Sequence, residues 1–145
     1  MYPVAGLGEF YMNKCCDILV VDDQQGVRKL LQEVLTEQGY EVVTAANGIK
    51  ALDLLSRLKP CAVVLDMKMP GLDGLETLKK LRERDSEIPV IMMTAYGELD
   101  TEERFRQYGV HQFLVKPFDL NDVCLLIKKV LEPAAKPGNF QNIGC

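Results

Sequence analysis

Residues 61–76 read CAVVLDMKMPGLDGLE. The apolar run Cys61–Leu65 continues without a break and stops at an acid, Asp66. A short, unbroken run centred on β-branched valines suits a strand buried on both faces of a parallel sheet, because a strand with one wet face would alternate. Beyond it, Pro70-Gly71 marks a turn. Asp73 and Glu76 then have the spacing of a capping box, opening a helix that carries Leu75, Leu78 and Leu81. The unit is strand, loop, helix, with a carboxylate at the strand's carboxyl end.

The same grammar recurs on either side. Ile18–Val21 ends in Asp22-Asp23, Val90–Met93 ends in Thr94, and Phe113–Val115 ends in Lys116-Pro117; Glu41–Ala45 is a weaker fifth run. Helical spacing fills the intervals. Val27, Leu30, Leu31, Val34 and Leu35 form one apolar face, with Gly39 as its stop. Ala51, Leu52, Leu55 and Leu58 come after the N-cap residue Asn47, and Val123, Leu126, Ile127, Val130 and Leu131 come after Asp119. Glu98–Tyr108 is charged and the least helix-like. Five alternations predict an α/β fold, a doubly wound parallel sheet with helices on both faces. Residues 15–132 read as one domain, flanked by loose segments 1–14 and 133–145 rich in Gly, Pro and small residues.

At 145 residues, 48% hydrophobic and 26% charged, the chain has the size and composition of one globular domain. A net charge of −4 argues against direct binding of nucleic acid or an anionic membrane. No apolar run approaches the roughly 20 residues that span a bilayer. The first dozen residues lack the basic start and apolar stretch of a signal peptide, so cytoplasmic residence is expected. The five cysteines show no metal-ligand spacing. Cys61 and Cys124 lie within apolar patterns and are expected to be buried as small hydrophobes, whereas Cys145 is terminal.

In an open parallel sheet, chemistry collects at the carboxyl ends of the strands. There this chain puts Asp22, Asp23, Asp66, Thr94 and Lys116. Singly, each has an ordinary reading: a turn former, a helix cap, a solvated charge. Together, at successive strand ends, they form a site. Three crowded carboxylates repel, so at least one pKa should rise, and a proton or cation must neutralise them. All-oxygen ligands in this small number favour magnesium. Thr94 and Lys116 add donors that suit the oxygens of a phosphoryl group. Asp66 is then the nucleophile, forming an aspartyl phosphate. Lys116 precedes Pro117, the residue type that permits a cis bond.

The blocks VVDDQQGVR, AANGIKALDLL, VVLDMKMPGLDGLE, VIMMTAYGELD and VKPFD resemble response-regulator receiver domains, in order and spacing, from about Asp17 to Leu131. The wording is most similar to the single-domain sporulation phosphotransferase type. The resemblance implies a five-stranded, flavodoxin-like sheet in the order 2-1-3-4-5. It implies that Asp22, Asp23 and Asp66 hold magnesium, with the backbone carbonyl of Lys68 completing the protein ligands. Asp66 becomes the phosphoacceptor, Thr94 the switch hydroxyl and Lys116 the phosphate-contacting cation. Phe113 takes the aromatic switch position, where it has no hydroxyl to bond, and Val110 stands where alanine is common. The implied partners are a sensor histidine kinase and a histidine phosphotransfer protein, with the receiver a monomeric intermediate rather than a turnover enzyme. Gly26, Val27, Leu30, Pro117 and Phe118 are expected to form a rim around Asp66 where a partner's helices dock. Leu30 lies at the edge of its helix's apolar arc, so only partial burial is expected.

Competing readings differ in the residues they require at the strand ends. A flavin or nucleotide binder needs bare N–H groups after the first strand, where this chain has two acids that repel phosphate. An aspartate phosphatase looks for an acid two residues after its nucleophile, and Lys68 stands there. A histidine phosphotransfer protein needs a helical histidine, and the only histidine, His111, falls in a loop. A receiver cut from a longer regulator with an output domain remains the alternative to the single-domain relay reading.

Overall fold

The computed structural model describes residues 14–95, 102–110 and 112–132. Five strands, β1 (Lys14–Val21), β2 (Val42–Ala45), β3 (Leu58–Asp66), β4 (Val90–Ala95) and β5 (Gln112–Lys116), form one all-parallel sheet in the order β2-β1-β3-β4-β5. Between them run α1 (Gln25–Glu37), α2 (Gly48–Leu55), α3 (Gly74–Arg84) and α4 (Glu102–Arg106), with α5 (Leu120–Leu131) last. The expected flavodoxin-like topology is therefore present.

Strand periodicity explains why the apolar runs are unbroken. Leu19, Val21, Val63, Leu65 and Met92 point to one face, where Leu52, Leu78, Leu81 and Phe105 close the core. Ile18, Val20, Val64, Ile91 and Met93 point to the other, against Leu31, Leu35, Val123 and Ile127. Both faces are dry, so neither parity of a central strand can be polar. Each fully buried leucine or isoleucine contributes about 1.5–3 kcal/mol.

Local signals set the helix ends. The Asn47 side chain accepts the Lys50 N–H at 2.8 Å. The Asp73–Glu76 capping box is formed, the Asp73 carboxylate accepting Glu76 N–H at 2.9 Å. Asp119 caps α5 through Asn121 N–H at 2.7 Å. Gly39 stops α1 with φ +99°, a conformation that costs glycine nothing.

Some expectations need correction. Cys61 and Cys124 are only half-buried and lie outside both apolar clusters; among the described cysteines the buried thiol is Cys16 in β1. Strand β3 begins three residues early, at Leu58, so that Leu58 belongs to the strand and not to the helical pattern after Asn47; Pro60 sits at the strand's amino end, paired with Cys16. Within the charged segment Glu98–Tyr108, the described residues include helix α4 over Glu102–Arg106, with Phe105 its buried anchor. Most of TAYGELD, His111, Cys145 and nearly all of the two end segments lie outside the described residues. Among the described residues, no helix is long and apolar enough to cross a membrane.

Candidate active site

Strand register brings the polar residues together. Val21 lies beside Leu65, so Asp22 comes alongside Asp66. Asp66 pairs with Met93 and Met93 with Leu114, two residues before Lys116. Alternation does the rest: Val20 to Asp22, Val64 to Asp66 and Leu114 to Lys116 each step two residues along the face covered by α1 and α5. Where that apolar column reaches the sheet's carboxyl edge, it becomes a charged cluster.

The Asp22, Asp23 and Asp66 carboxylates each offer an oxygen within 4.8 Å of the other two. Lys116 Nζ lies 2.8 Å from Asp22 Oδ2 and 3.3 Å from Asp66 Oδ1, bridging the two buried acids. Asp22 Oδ1 accepts the Gln24 N–H at 2.8 Å, and the Lys68 N–H donates to the Asp66 carboxylate. Asp22 is fully buried and Asp66 is 6% exposed, whereas Asp23 faces solvent. Burial, then the charge of Asp22, pushes the Asp66 carboxyl up to about 6, against the pull of Lys116 and the Lys68 N–H. Burial alone would lower Lys116, but its hydrogen bond to Asp22 and the charges of Asp66 and Asp22 outweigh that and raise it.

Three acids against one ammonium leave a negative cluster with an open side at Asp23. Its donors are all carboxylate oxygens, the chemistry of a hard divalent cation rather than a thiophilic one. These residues can hold a metal.

Thr94 is 3% exposed and comes directly after Met93, so alternation turns it toward the other face. Phe113, paired with Met92, packs on that same face, with the Arg106 guanidinium of α4 5.2 Å from its ring centre. The expected switch pair thus shares the α4 side of the sheet. Of the expected rim, Gly26 and Pro117 are exposed and Leu30 is 41% exposed. Val27 and Phe118 are half-buried against the α1–α5 core, so they both complete that core and border the rim. The Lys116–Pro117 bond is cis.

One contributor is not legible in the sequence. Arg28 Nη1 donates to the Asp22 backbone carbonyl at 2.8 Å, tying α1 to the acidic turn. Its only signal is a long donor one and a half helical turns past the acid, too generic to stand out.

The model of the response regulator receiver domain matches residues 18–128. The chain is 47% identical over 114 residues to sporulation initiation phosphotransferase F of Bacillus subtilis, covering 79% of this chain and 92% of that protein. It is 38% identical to the regulatory protein AtoC of Escherichia coli over 79% of this chain, but only 25% of that longer protein. The solved receiver domain of NtrX from Brucella abortus matches with a TM-score of 0.76 at 33% identity, covering 81% of this chain and 100% of that one. The chemotaxis protein CheY4 of Vibrio cholerae matches at 0.76 and 28% identity, covering 81% and 99%. This chain belongs to the response-regulator receiver-domain family of two-component signalling.

Proposed function

We propose that this receiver takes a phosphoryl group from the phosphohistidine of a sensor histidine kinase onto Asp66, and passes it to a histidine of a phosphotransfer protein. The observation that carries the reading is Lys116 bridging Asp22 and Asp66 inside a three-carboxylate cluster. A lone Asp at a strand end is a turn residue; an Asp with a cation site on one side and an ammonium on the other is a phosphoryl acceptor.

An Asp66 oxygen attacks phosphorus as the P–N bond to the donor imidazole breaks, and the departing nitrogen is left to take a proton. With a pKa near 6, Asp66 is mostly in the nucleophilic carboxylate form at pH 7. In the return step a neutral imidazole attacks, the P–O bond breaks and the carboxylate is regenerated. Asp22, Asp23, Asp66 and the Lys68 carbonyl would hold magnesium, which when bound would neutralise charge on the phosphoryl oxygens. Lys116 and the Thr94 hydroxyl would face those oxygens, and Thr94 would report to Phe113 and α4 across their shared face. The partner docks on the rim of Gly26, Val27, Leu30, Pro117 and Phe118, which holds its histidine in line with Asp66. The domain of residues 15–132 carries this chemistry, acting as a cytoplasmic monomer without contact to nucleic acid.

The relay reading draws support from a relative that is named a phosphotransferase and is 92% covered by this chain. The match to a quarter of AtoC favours the second reading, a receiver serving a longer regulator. The experiment is labelled-phosphate transfer from a histidine kinase through this protein to a histidine phosphotransfer protein, with acetyl phosphate and magnesium as a partner-free control. One added phosphoryl mass in wild type, lost in Asp66→Ala, supports the acceptor. A partner histidine that is never labelled, or specific DNA shifted by the phosphorylated protein, overturns the relay.

A further inference from the structure

The loop 67–73 carries Lys68, whose N–H reaches the Asp66 carboxylate, and two glycines grip that loop from outside. Gly74 opens α3 directly beneath the strand end. A Cβ there would lie 2.4 Å from the Asp66 carbonyl oxygen, 2.7 Å from Met67 Cα and 2.8 Å from Met67 O. All three are backbone atoms, and the Gly74 N–H donates to Met67 O at 3.0 Å. Nothing on that side can rotate away, so a methyl group would have to displace the β3 end itself. Gly48, the first residue of α2, grips the far side of the loop. Its Cβ would meet Leu72 O and Leu72 Cδ2 at 3.1 Å, and would collide with Thr77 Oγ1 at 2.1 Å. Thr77 is 1% exposed, and its hydroxyl donates to the Asp73 carbonyl at 2.7 Å, a bond that yielding would break.

We propose that Gly48 and Gly74 are positioning residues for the Asp66 centre, holding loop 67–73 so that Lys68 meets the Asp66 carboxylate. The inference rests on the reading of Asp66 as acceptor. Both glycines sit in helical first turns with ordinary backbone angles, so their role is close approach and not left-handed conformation. Relieving the Gly74 contact requires the β3 end to retreat by about half an ångström or more. Displacements of that order at a reacting group cost about tenfold to a hundredfold in rate. The Gly48 contact differs in kind, because its closest obstacle is a side-chain oxygen that a second substitution removes.

The test compares Gly74→Ala, Gly48→Ala, Thr77→Ala and the Gly48→Ala/Thr77→Ala pair, each well below its melting temperature. Two quantities are read: the acetyl phosphate labelling rate, and the Lys68 amide resonance without metal. Gly74→Ala should label at least about tenfold more slowly and move the Lys68 resonance. Gly48→Ala should do the same to a smaller degree, and the pair should return toward the Thr77→Ala values, which stay within about threefold of wild type. Reading the Lys68 resonance and the labelling rate on folded protein, well below each melting temperature, separates positioning from a general loss of stability. Folded Gly74→Ala and Gly48→Ala proteins with wild-type labelling and an unmoved Lys68 resonance overturn the proposal. If Gly74→Ala does not fold, the Gly48 and Thr77 cycle decides. Wild type that takes no label refutes the acceptor reading, whereas the Lys68 resonance still judges the grip on the loop.

Discussion

Replacing Asp66 with asparagine removes the proposed acceptor and, without metal, should make the protein more stable. The carboxyl is raised from 3.8 to about 6 by burial and by Asp22, against the opposing pull of Lys116 and Lys68. An acid raised on folding is a cost. That cost is absent below pH 3.8, where both states are protonated. It grows between 3.8 and 6, where only the unfolded state has ionised, and is complete above 6. Roughly two pKa units correspond to about 3 kcal/mol, with little solvent screening at a group only 6% exposed. Asparagine keeps an oxygen for the Lys68 N–H, and Lys116 keeps Asp22 at 2.8 Å, so about 2–3 kcal/mol should be recovered. For a domain of this size that is a rise of about 6–12 °C in Tm. The assay is thermal and urea unfolding of wild type and Asp66→Asn in chelator between pH 4 and 8. The stability gap should open from pH 4 to 6 and stay level above 7. A variant no more stable than wild type at pH 7.5, or a gap unchanged at pH 4, would refute a strained acidic cluster centred on Asp66.

Magnesium should reverse that order: at a hundred times its Kd it stabilises wild type by about 2.7 kcal/mol, and the gain should shrink sharply in Asp66→Asn and Asp23→Asn, as read from melting curves with and without the ion. Thr94→Ala should still be labelled by acetyl phosphate but show a muted response over residues 102–113, whereas Lys116→Ala should also label more slowly. Amide exchange with and without beryllofluoride checks both, and full wild-type changes in the two variants would remove their assigned roles. Leu30→Ala should slow partner transfer while leaving acetyl phosphate labelling nearly intact, because 41% of Leu30 is exposed and its loss leaves a small cavity. Phe118→Ala should slow transfer too, but with a stability loss of about 1–3 kcal/mol because it also packs on the α1–α5 core.

Element order and the residues that stand at the strand ends were legible along the chain because both depend on short-range chemistry. A run such as Cys61–Leu65 must be buried on both faces wherever it lies, and Asn47, Asp73 and Asp119 cap helices through bonds to residues two or three positions on. Strand ends are equally local, so Asp22, Asp66, Thr94 and Lys116 could be named as edge residues before any pairing was known. Every relation across strands needed the tertiary structure. That Lys116 bridges Asp22 and Asp66, 94 and 50 positions away in sequence, is a result of register and parity, which no single run encodes. Burial at the margins was equally hidden: Cys61 and Leu65 belong to one apolar run, yet Leu65 is sealed and Cys61 is not, since exposure depends on which helix lies above. Gly48 and Gly74 were visible as letters within recognisable blocks. Only the folded chain shows that a methyl group at Gly74 would strike the backbone of Asp66, because steric exclusion is decided by how closely distant segments approach.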